Sequence, residues 1–442
     1  MTDQQHAGMM SCAGNEHLKT PAMDSLAATG VRFQNAFCAN PVCTASRVSM
    51  LTGRMPSYYG VQSNEGWLRE EFLPRADRGQ TLGSLFKRAG YETVYGGKVH
   101  LPTGLVPLDE MGFRPISTDE RMRLARTCAE LLLQKRDRPL LMVASFTNPH
   151  DIGFMAAGAR VRLGNPDAPP QKPPPPGSEL ALALKAPDGV SRQEFLSRLC
   201  PPLPPNFEIP EHERNEAPKP GDLHGYLRRH WTQDDWRLYR WAYCRLTEQV
   251  DSEIAVVLKA VRDAGLEEQT LIVFSSDHGD MDAAHRMQGK CTLYEESVRV
   301  PFIVSLKGVT RPGHVDRAHL VSSGLDLLPT LCDFAGIEPP KSLPGRSVRA
   351  LAEGREVTAW REYVVTENWR SRMVRTARYK YNCFDSAREQ LFDLENDPGE
   401  TVDLAASESH REIVAQHRNR LLSWRQEVGD TFPVRVPKSA AG

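Results

Sequence analysis

Apolar positions along this chain follow two periods in alternation, and polar clusters stand where the short apolar runs stop. Residues 22 to 34, Ala-Met-Asp-Ser-Leu-Ala-Ala-Thr-Gly-Val-Arg-Phe-Gln, predict a short helix closed by Gly30 and then a strand. Thr81 to Ala89 sets Leu82, Leu85 and Phe86 at helical spacing and ends at Gly90, after which Tyr91 to Tyr95 alternates as a strand. Arg121 to Gln134 reads as a helix, and Pro139 to Phe146 as an apolar strand running out in Thr147-Asn148-Pro149-His150. Trp236 to Ala264 is a long helix stopped by Gly265. Thr270 to Ser276 is a short apolar run ending in Asp277-His278-Gly279-Asp280, and Arg299 to Ser305 is a further strand.

Strands alternating with helices argue for an α/β fold with a doubly wound, mostly parallel sheet. In such sheets ligands bind beyond the carboxyl ends of the strands, which puts His150 and the Asp277-His278 pair in candidate positions. From about residue 355 the texture changes. Glu362 to Thr366 and Met373 to Tyr381 look like antiparallel strands, Leu391 to Leu394 a strand before the turn Asp397-Pro398-Gly399-Glu400, and Ser409 to Val428 a final helix. The expected division is a catalytic domain over 1–354 and a small α+β subdomain over 355–442. Residues 166 to 220 hold 15 of the 33 prolines, so no core element is expected there. This excursion, about 155–230, is either a plain connector or a segment that shapes the substrate site.

Composition narrows the class of partner. Among 442 residues, 55 Lys and Arg face 56 Asp and Glu, a net charge of -1, which excludes a polyanion binder working by bulk charge and makes nucleic acid an unexpected partner. No apolar stretch is long enough for a membrane helix. The start, Met1-Thr2-Asp3-Gln4-Gln5-His6, is polar at once, so no secretory signal is expected as the sequence stands. The 9 cysteines are odd in number and without framework spacing, which predicts buried thiols and, as the sequence stands, a cytoplasmic protein.

The sharpest chemical pattern is Asn40-Pro41-Val42-Cys43-Thr44-Ala45-Ser46-Arg47 followed by Leu51-Thr52-Gly53-Arg54. A helix starting near Cys43 would point free amides at an anion, with Arg47 on the same face one turn later. On the residues alone, Cys43 is as readily a buried thiol, Asp277-His278 a hydrogen-bonded turn, and each of Lys98 and Lys290 a solvated surface group.

Cys-x-Ala-Ser-Arg with Leu-Thr-Gly-Arg resembles the signature of the type I, formylglycine-dependent sulfatases of the alkaline phosphatase superfamily. Further segments resemble that family in its own order: Thr20 to Ala27, Gly97-Lys98-Val99-His100, Asn148-Pro149-His150-Asp151, Ser276 to Asp280, Gly289-Lys290, Tyr294-Glu295, Val298 to Pro301, and Leu391 to Glu400. The resemblance implies an alkaline phosphatase-like fold and hydrolysis of a sulfate ester, with a sulfated saccharide as the expected substrate. It implies that a maturase oxidises Cys43 to formylglycine, whose hydrate supplies the nucleophile. Ala45 stands where the commonest form of the motif has proline. The implied metal ligands are Asp3, Gln4 through a carbonyl, Cys43 after conversion, Asp277 and His278. The implied ion is Ca2+, with Mg2+, Mn2+ or Zn2+ admitted by the histidine. Arg47, Lys98 and Lys290 are the implied cations on nucleophile and sulfate, His100 assists the diol, His150 or Lys290 protonates the leaving alcohol, and His285 lies behind them.

The family opens with an apolar strand just ahead of the residue matching Asp3. Here Met1 stands in its way, so that strand is expected to be missing, and a periplasmic or secreted protein is expected if the start is truncated. Two other functions fit the same motifs: a phosphonate monoester or phosphodiester hydrolase of the superfamily, and a sulfated-glycan binding protein in which Cys43 stays a thiol.

Overall fold

The computed structural model describes residues 1–64, 75–102, 107–117, 121, 123–157, 173–214 and 222–434. Its strands, in chain order, are β1 (Val31–Phe33), β2 (Ala36–Phe37), β3 (Glu92–Gly97), β4 (Arg114–Ser117), β5 (Leu140–Ser145), β6 (Ile272–Ser275), β7 (Phe302–Ser305), β8 (His314–Asp316), β9 (Val321–Ser322), β10 (Val364–Glu367), β11 (Ser371–Arg375), β12 (Tyr379–Phe384) and β13 (Glu389–Asp393). The helices that matter here are α1 (Pro21–Thr29), α2 (Cys43–Thr52), α3 (Leu82–Arg88), α4 (Leu124–Leu132), α5 (Gln233–Asp263), α6 (Ser323–Ala335) and α7 (Arg411–Val428).

Two sheets, ordered β4-β3-β5 and β6-β7-β1-β8, are joined by the first three residues of the chain. Met1 donates its ammonium to the Ala144 carbonyl and accepts from Phe146 N–H, while Thr2 N–H donates to Ser275 O. The bridges of Thr2 to Ser276 and Asp3 to Pro149 are both parallel. Thus Met1–Asp3 holds the position of a central strand between β5 and β6, in place of the longer apolar strand that the family resemblance implied. Leu140–Ala144 and Leu271–Val273, apolar residues upstream of that junction, are only half-buried. The sheet is mostly parallel as expected, and mixed, since β7 runs antiparallel to both β6 and β1.

Both faces of the sheet are covered, because alternate residues of each strand point opposite ways. On one face Leu26 of α1, Leu124 of α4 and Ile254 of α5 cluster with Met142 and Ala144 of β5. On the other, Val48 of α2, Phe86 of α3 and Leu328 of α6 cluster with Leu141 and Val143. The long helix begins earlier than its apolar pattern implied: Thr232 and Asp235 form a reciprocal capping box that starts it at Gln233.

The C-terminal strands β10 to β13 form an antiparallel meander, against which α7 packs through Val414, Leu421 and Trp424. The run Met373 to Tyr381, read as one strand, is two, with a turn at 376–378. Of the Pro-rich excursion, residues 158–172 and 215–221 lie outside the described set, with Pro166, Pro169, Pro170, Pro218 and Pro220 among them. Its described part is short helices, including Glu211–Arg214 and Leu223–His230. All 9 cysteines are free thiols, most of them buried. No helix among the described residues is long and apolar enough to cross a membrane.

Candidate active site

Helix α2 starts on Cys43 itself, and every one of its residues is buried. Val42 offers no side-chain cap, and Asn64 Oδ1 accepts from the Thr44 amide at 3.0 Å. The nucleophile candidate therefore sits at the positive end of a helix dipole. Asp3 leaves the short N-terminal strand segment, and Asp277 and His278 follow β6, so all three arrive at the same carboxyl edge of the sheet.

There the ligand atoms of Asp3, Cys43, Asp277 and His278, all buried, lie within 4.8 Å of one another. The Cys43 Sγ stands 3.1 Å from His278 Nε2 and 3.7 Å from Asp3 Oδ1. His278 Nδ1 is 2.9 Å from the Gly279 carbonyl, an arrangement in which Nδ1–H donates and Nε2 keeps its lone pair for the cluster. Two carboxylate oxygens, one imidazole nitrogen and the side chain at 43 are a donor set that suits a divalent ion.

Arg47 does not face the open side of this cluster. Buried at 1% exposure, it donates from Nε to Asp277 Oδ2 and from Nη2 to Asp3 Oδ2, both at 2.9 Å. Its Nη1 reaches Lys98 O and Ser145 Oγ at 2.7 and 2.8 Å. The guanidinium thus holds the outer oxygens of both carboxylates and leaves each Oδ1 to the cluster. Lys98 adds an ion pair to Asp3 Oδ2 at 2.8 Å. Lys290 Nζ lies 2.8 Å from Cys43 Sγ.

This charge pattern decides protonation. Burial raises the Asp3 carboxyl, yet Lys98, His150, Lys290 and Arg47 hold it well below the usual range. Burial and Asp3 push the Cys43 thiol up, but Lys290, His278 and a hydrogen bond from His100 pull it well below its ordinary value. Lys290 is disfavoured as a cation by burial but kept charged by Cys43, Asp3 and Asp277. Burial, with Lys290 and Lys98 nearby, lowers His150 to about 4, so it is neutral at physiological pH. The Nδ1 atoms of His100 and His150 are buried without a hydrogen-bond partner.

Asp3, Cys43, Lys98, His100, His150, Asp277, His278 and Lys290 thus gather at one place, with Arg47 behind the two carboxylates. The Gln4 side chain donates through Nε2 to Asp280 and accepts through Oε1 from Lys290, the ammonium that also touches Cys43 Sγ, while its main-chain carbonyl accepts from Tyr243 Oη at 2.6 Å. His285 is buried in a different environment, stacked on Tyr294 at 4.2 Å between centroids. Sequence reasoning assigned nothing to Asp280, Tyr239, Ser145 or Asn64. Asp280 stood inside a quoted motif, and the i, i+4 pair Tyr239 and Tyr243 on a long helix was the available signal for Tyr239, while no pattern marked Ser145 or Asn64.

The family model Sulfatase matches residues 1–103 and 114–337, and the model N-sulphoglucosamine sulphohydrolase, C-terminal, matches 283–427. The chain is similar to a Delta 4,5-hexuronate-2-O-sulfatase of Bacteroides thetaiotaomicron, with 31% identity over 90% of this chain and 82% of the relative. It superposes on a 2-O GAG sulfatase with a TM-score of 0.77 and 27% identity, covering 99% of this chain and 93% of the other. A phosphonate monoester hydrolase of Agrobacterium radiobacter shares the fold at a TM-score of 0.70 and 22% identity, covering 97% and 94%. Matched over most of its length, with the motif residues gathered around Cys43 at the helix head, this chain belongs to the sulfatase family.

Proposed function

We propose that this chain hydrolyses a sulfate monoester carried by a saccharide, with Cys43 converted to formylglycine as the nucleophile-bearing residue. The observation that carries this reading is the Cys43 side chain at the α2 N-terminus, enclosed by Asp3, Asp277 and His278 and flanked by Lys290. Asp3, Gln4, Asp277, His278 and the residue at 43 would hold a divalent ion, for which oxygen-rich donors favour Ca2+ and which would supply charge neutralisation at the nucleophile and a sulfate oxygen. The aldehyde hydrate supplies the two hydroxyls that attack on sulfur and later release of sulfate require.

The remaining roles belong to side chains of this chain. Lys98 and Lys290 bind sulfate oxygens, preorganised cations in a site from which water is largely excluded. His100, in contact with the side chain at 43, accepts a proton from the hydrate through a ring nitrogen. Of the two groups placed to protonate the departing alkoxide, Lys290 is the one charged at neutral pH, and neutral His150 orients the leaving oxygen. Arg47 keeps Asp3 and Asp277 aligned.

A saccharide is favoured by the hexuronate 2-O-sulfatase relative and by two exposed aromatic rings near the pocket. Phe154, 50% exposed, stands edge-on to His150 with 6.2 Å between centroids. Trp369, 44% exposed, follows Asn368, which donates to the Cys291 carbonyl beside Lys290. Such faces suit the apolar side of a sugar ring.

The test has two arms. Peptide mass spectrometry at Cys43 on protein co-expressed with a formylglycine-generating maturase reads the conversion. A turnover screen then compares sulfated mono- and disaccharides with aryl sulfate and an aryl phosphodiester. Sulfate release from a saccharide, with Cys43→Ala and Cys43→Ser both down by several decades, is expected. Faster turnover of the phosphodiester, or an active Cys43→Ser, overturns the reading.

A further inference from the structure

The loop that delivers Lys290 is bent against its own preference. Between Asp280 and Lys290 the chain makes a compact turn, closed by Met281 N–H to Gly289 O at 2.8 Å and Ala283 N–H to Met287 O at 3.1 Å. Asp282, Ala283, His285, Arg286, Gly289 and Cys291 all take a positive φ, from 44° to 78°. Only the glycine does so without strain, and a left-handed non-glycine residue persists where its surroundings hold it. Much of that hold comes from the Pro-rich excursion. Helix Leu223–His230 sets His224 and Arg228 at i and i+4, hence on one face. His224 Nε2–H donates to the Gln288 carbonyl at 3.0 Å, and Arg228 donates from Nε and Nη2 to the His285 carbonyl at 3.1 and 3.0 Å. Burial, with Arg228 beside it, lowers His224 below its ordinary value, and the neutral ring still has an N–H to donate. Arg228 also pairs with Glu213, which accepts from Tyr294 Oη, and the His285 amide donates to Asn206 O at 2.8 Å. Two residues beyond Gln288, Lys290 Nζ stands 2.8 Å from Cys43 Sγ.

We infer that His224 and Arg228 are positioning residues for Lys290: from one helix face they hold the Gln288 and His285 carbonyls, and so keep the left-handed loop in the shape that brings the ammonium to the residue at 43. The inference rests on the sulfate ester reading for the role of Lys290, but it concerns what aims that lysine. The excursion is then part of the framework of the active site rather than a connector. A lysine finds its place from where its backbone is set, and a misplacement of about 1 Å can cost a hundredfold in rate. The competing account is packing alone. In that account the helix stabilises the fold through Leu227, which clusters with Phe207, Trp236 and Ala283, and its polar residues do no more than satisfy buried carbonyls.

The experiment uses the full, metal-loaded chain. Inorganic sulfate binding is measured by titration calorimetry, bound metal by elemental analysis and folding by circular dichroism. The variants are His224→Phe, His224→Gln and Arg228→Gln, each alone and combined with Lys290→Ala. His224→Phe keeps a ring and loses the donor, and His224→Gln restores a donor. Sulfate affinity is expected to fall about tenfold in His224→Phe and Arg228→Gln, to stay within about threefold of wild type in His224→Gln, and to fall no further when either damaging change is added to Lys290→Ala. Metal content is expected to match wild type in the His224 and Arg228 variants. Packing alone predicts the same loss of affinity with and without Lys290, and that result overturns the inference. So does unchanged affinity in both His224→Phe and Arg228→Gln, or loss of metal in step with affinity. If Arg228→Gln, which strips Glu213 of its ion pair, does not fold, His224→Phe decides the question, since it leaves no buried charge behind. Should wild type bind methylphosphonate in preference to sulfate, the sulfate ester reading fails, and the same cycle titrated with methylphosphonate still decides the roles of His224 and Arg228.

Discussion

Arg47 shows how one side chain can fix the geometry of a buried carboxylate pair. Two carboxylates that close repel each other, and burial raises the cost of ionising both. Asp3 and Asp277 tolerate this arrangement because a planar guanidinium meets the outer oxygen of each while also anchoring to Lys98 O and Ser145 Oγ. A lysine keeps the charge but cannot present donors in that fork. Arg47→Lys is therefore expected to reduce kcat/KM about a hundredfold and to lower bound metal by elemental analysis, with the chain still folded by circular dichroism. Near-wild-type rates would show that the carboxylates align without the fork. The motif around Cys43 was readable because one helical turn fixes Cys43 relative to Arg47. What Arg47 touches was not, since Asp277 lies 230 residues away and no spacing rule reaches that far. The same limit hid the partners of the Gln4 side chain, since the Asp3-Gln4 pair says nothing of the hydrogen bonds that Gln4 makes to Asp280 and Lys290.

At the scale of elements, the polar clusters after apolar runs were the dependable sign, because a parallel sheet delivers its carboxyl ends to one edge. Periodicity found α1, α3, β3, β5 and α5 within a few residues. It did not find β2, β8, β9 or α6: the first three have two or three residues each, and α6 carries Pro329 inside an otherwise apolar run. Nor does periodicity report direction, so nothing in the run Arg299 to Ser305 marked β7 as the antiparallel strand. The Gly-Lys-x-His segment gains a physical reason from its place at the end of β3. Gly97 has a φ of 87°, and a Cβ there would collide with the Ser145 carbonyl oxygen and the Leu124 side chain. The Lys98 amide donates to that same carbonyl, so relieving the collision displaces the residue that pairs with Asp3. Gly97→Ala is expected to destabilise the fold by about 2 kcal/mol or more and to raise KM for the sulfate ester. Differential scanning calorimetry and steady-state kinetics check the two effects, and an unshifted Tm would mean that the β3 end yields without strain.

Across the whole molecule, the C-terminal meander is tied to the catalytic part by charge as much as by apolar contact. Glu295, on the segment that follows Lys290, meets Arg375 and Lys380 from β11 and β12, and Lys380 also pairs with Glu400 at 2.7 Å. The Glu295 amide donates to Glu400 at 2.7 Å, so the two carboxyls share one buried cluster. They titrate as a pair. Burial raises Glu295, but Arg375, Lys380 and Arg299 bring it down to about 2; burial, with Glu295 and Glu296 beside it, pushes Glu400 up to about 8 against the pull of Lys380. The signs follow from the protons each state holds. Between about 2 and the ordinary glutamate value of 4.5, the unfolded chain binds the extra proton at Glu295, so stability rises with pH. Between 4.5 and about 8 the folded chain holds the extra proton at Glu400, so stability falls as pH rises, by at most about 1.4 kcal/mol per pH unit for that proton. Gln at position 400 keeps the neutral form at every pH. Urea midpoints measured from pH 5 to pH 8 are expected to fall in wild type and to fall less steeply in Glu400→Gln, with the variant gaining most at pH 8. Parallel curves would place the proton elsewhere and leave the joint between the two parts of the molecule insensitive to pH.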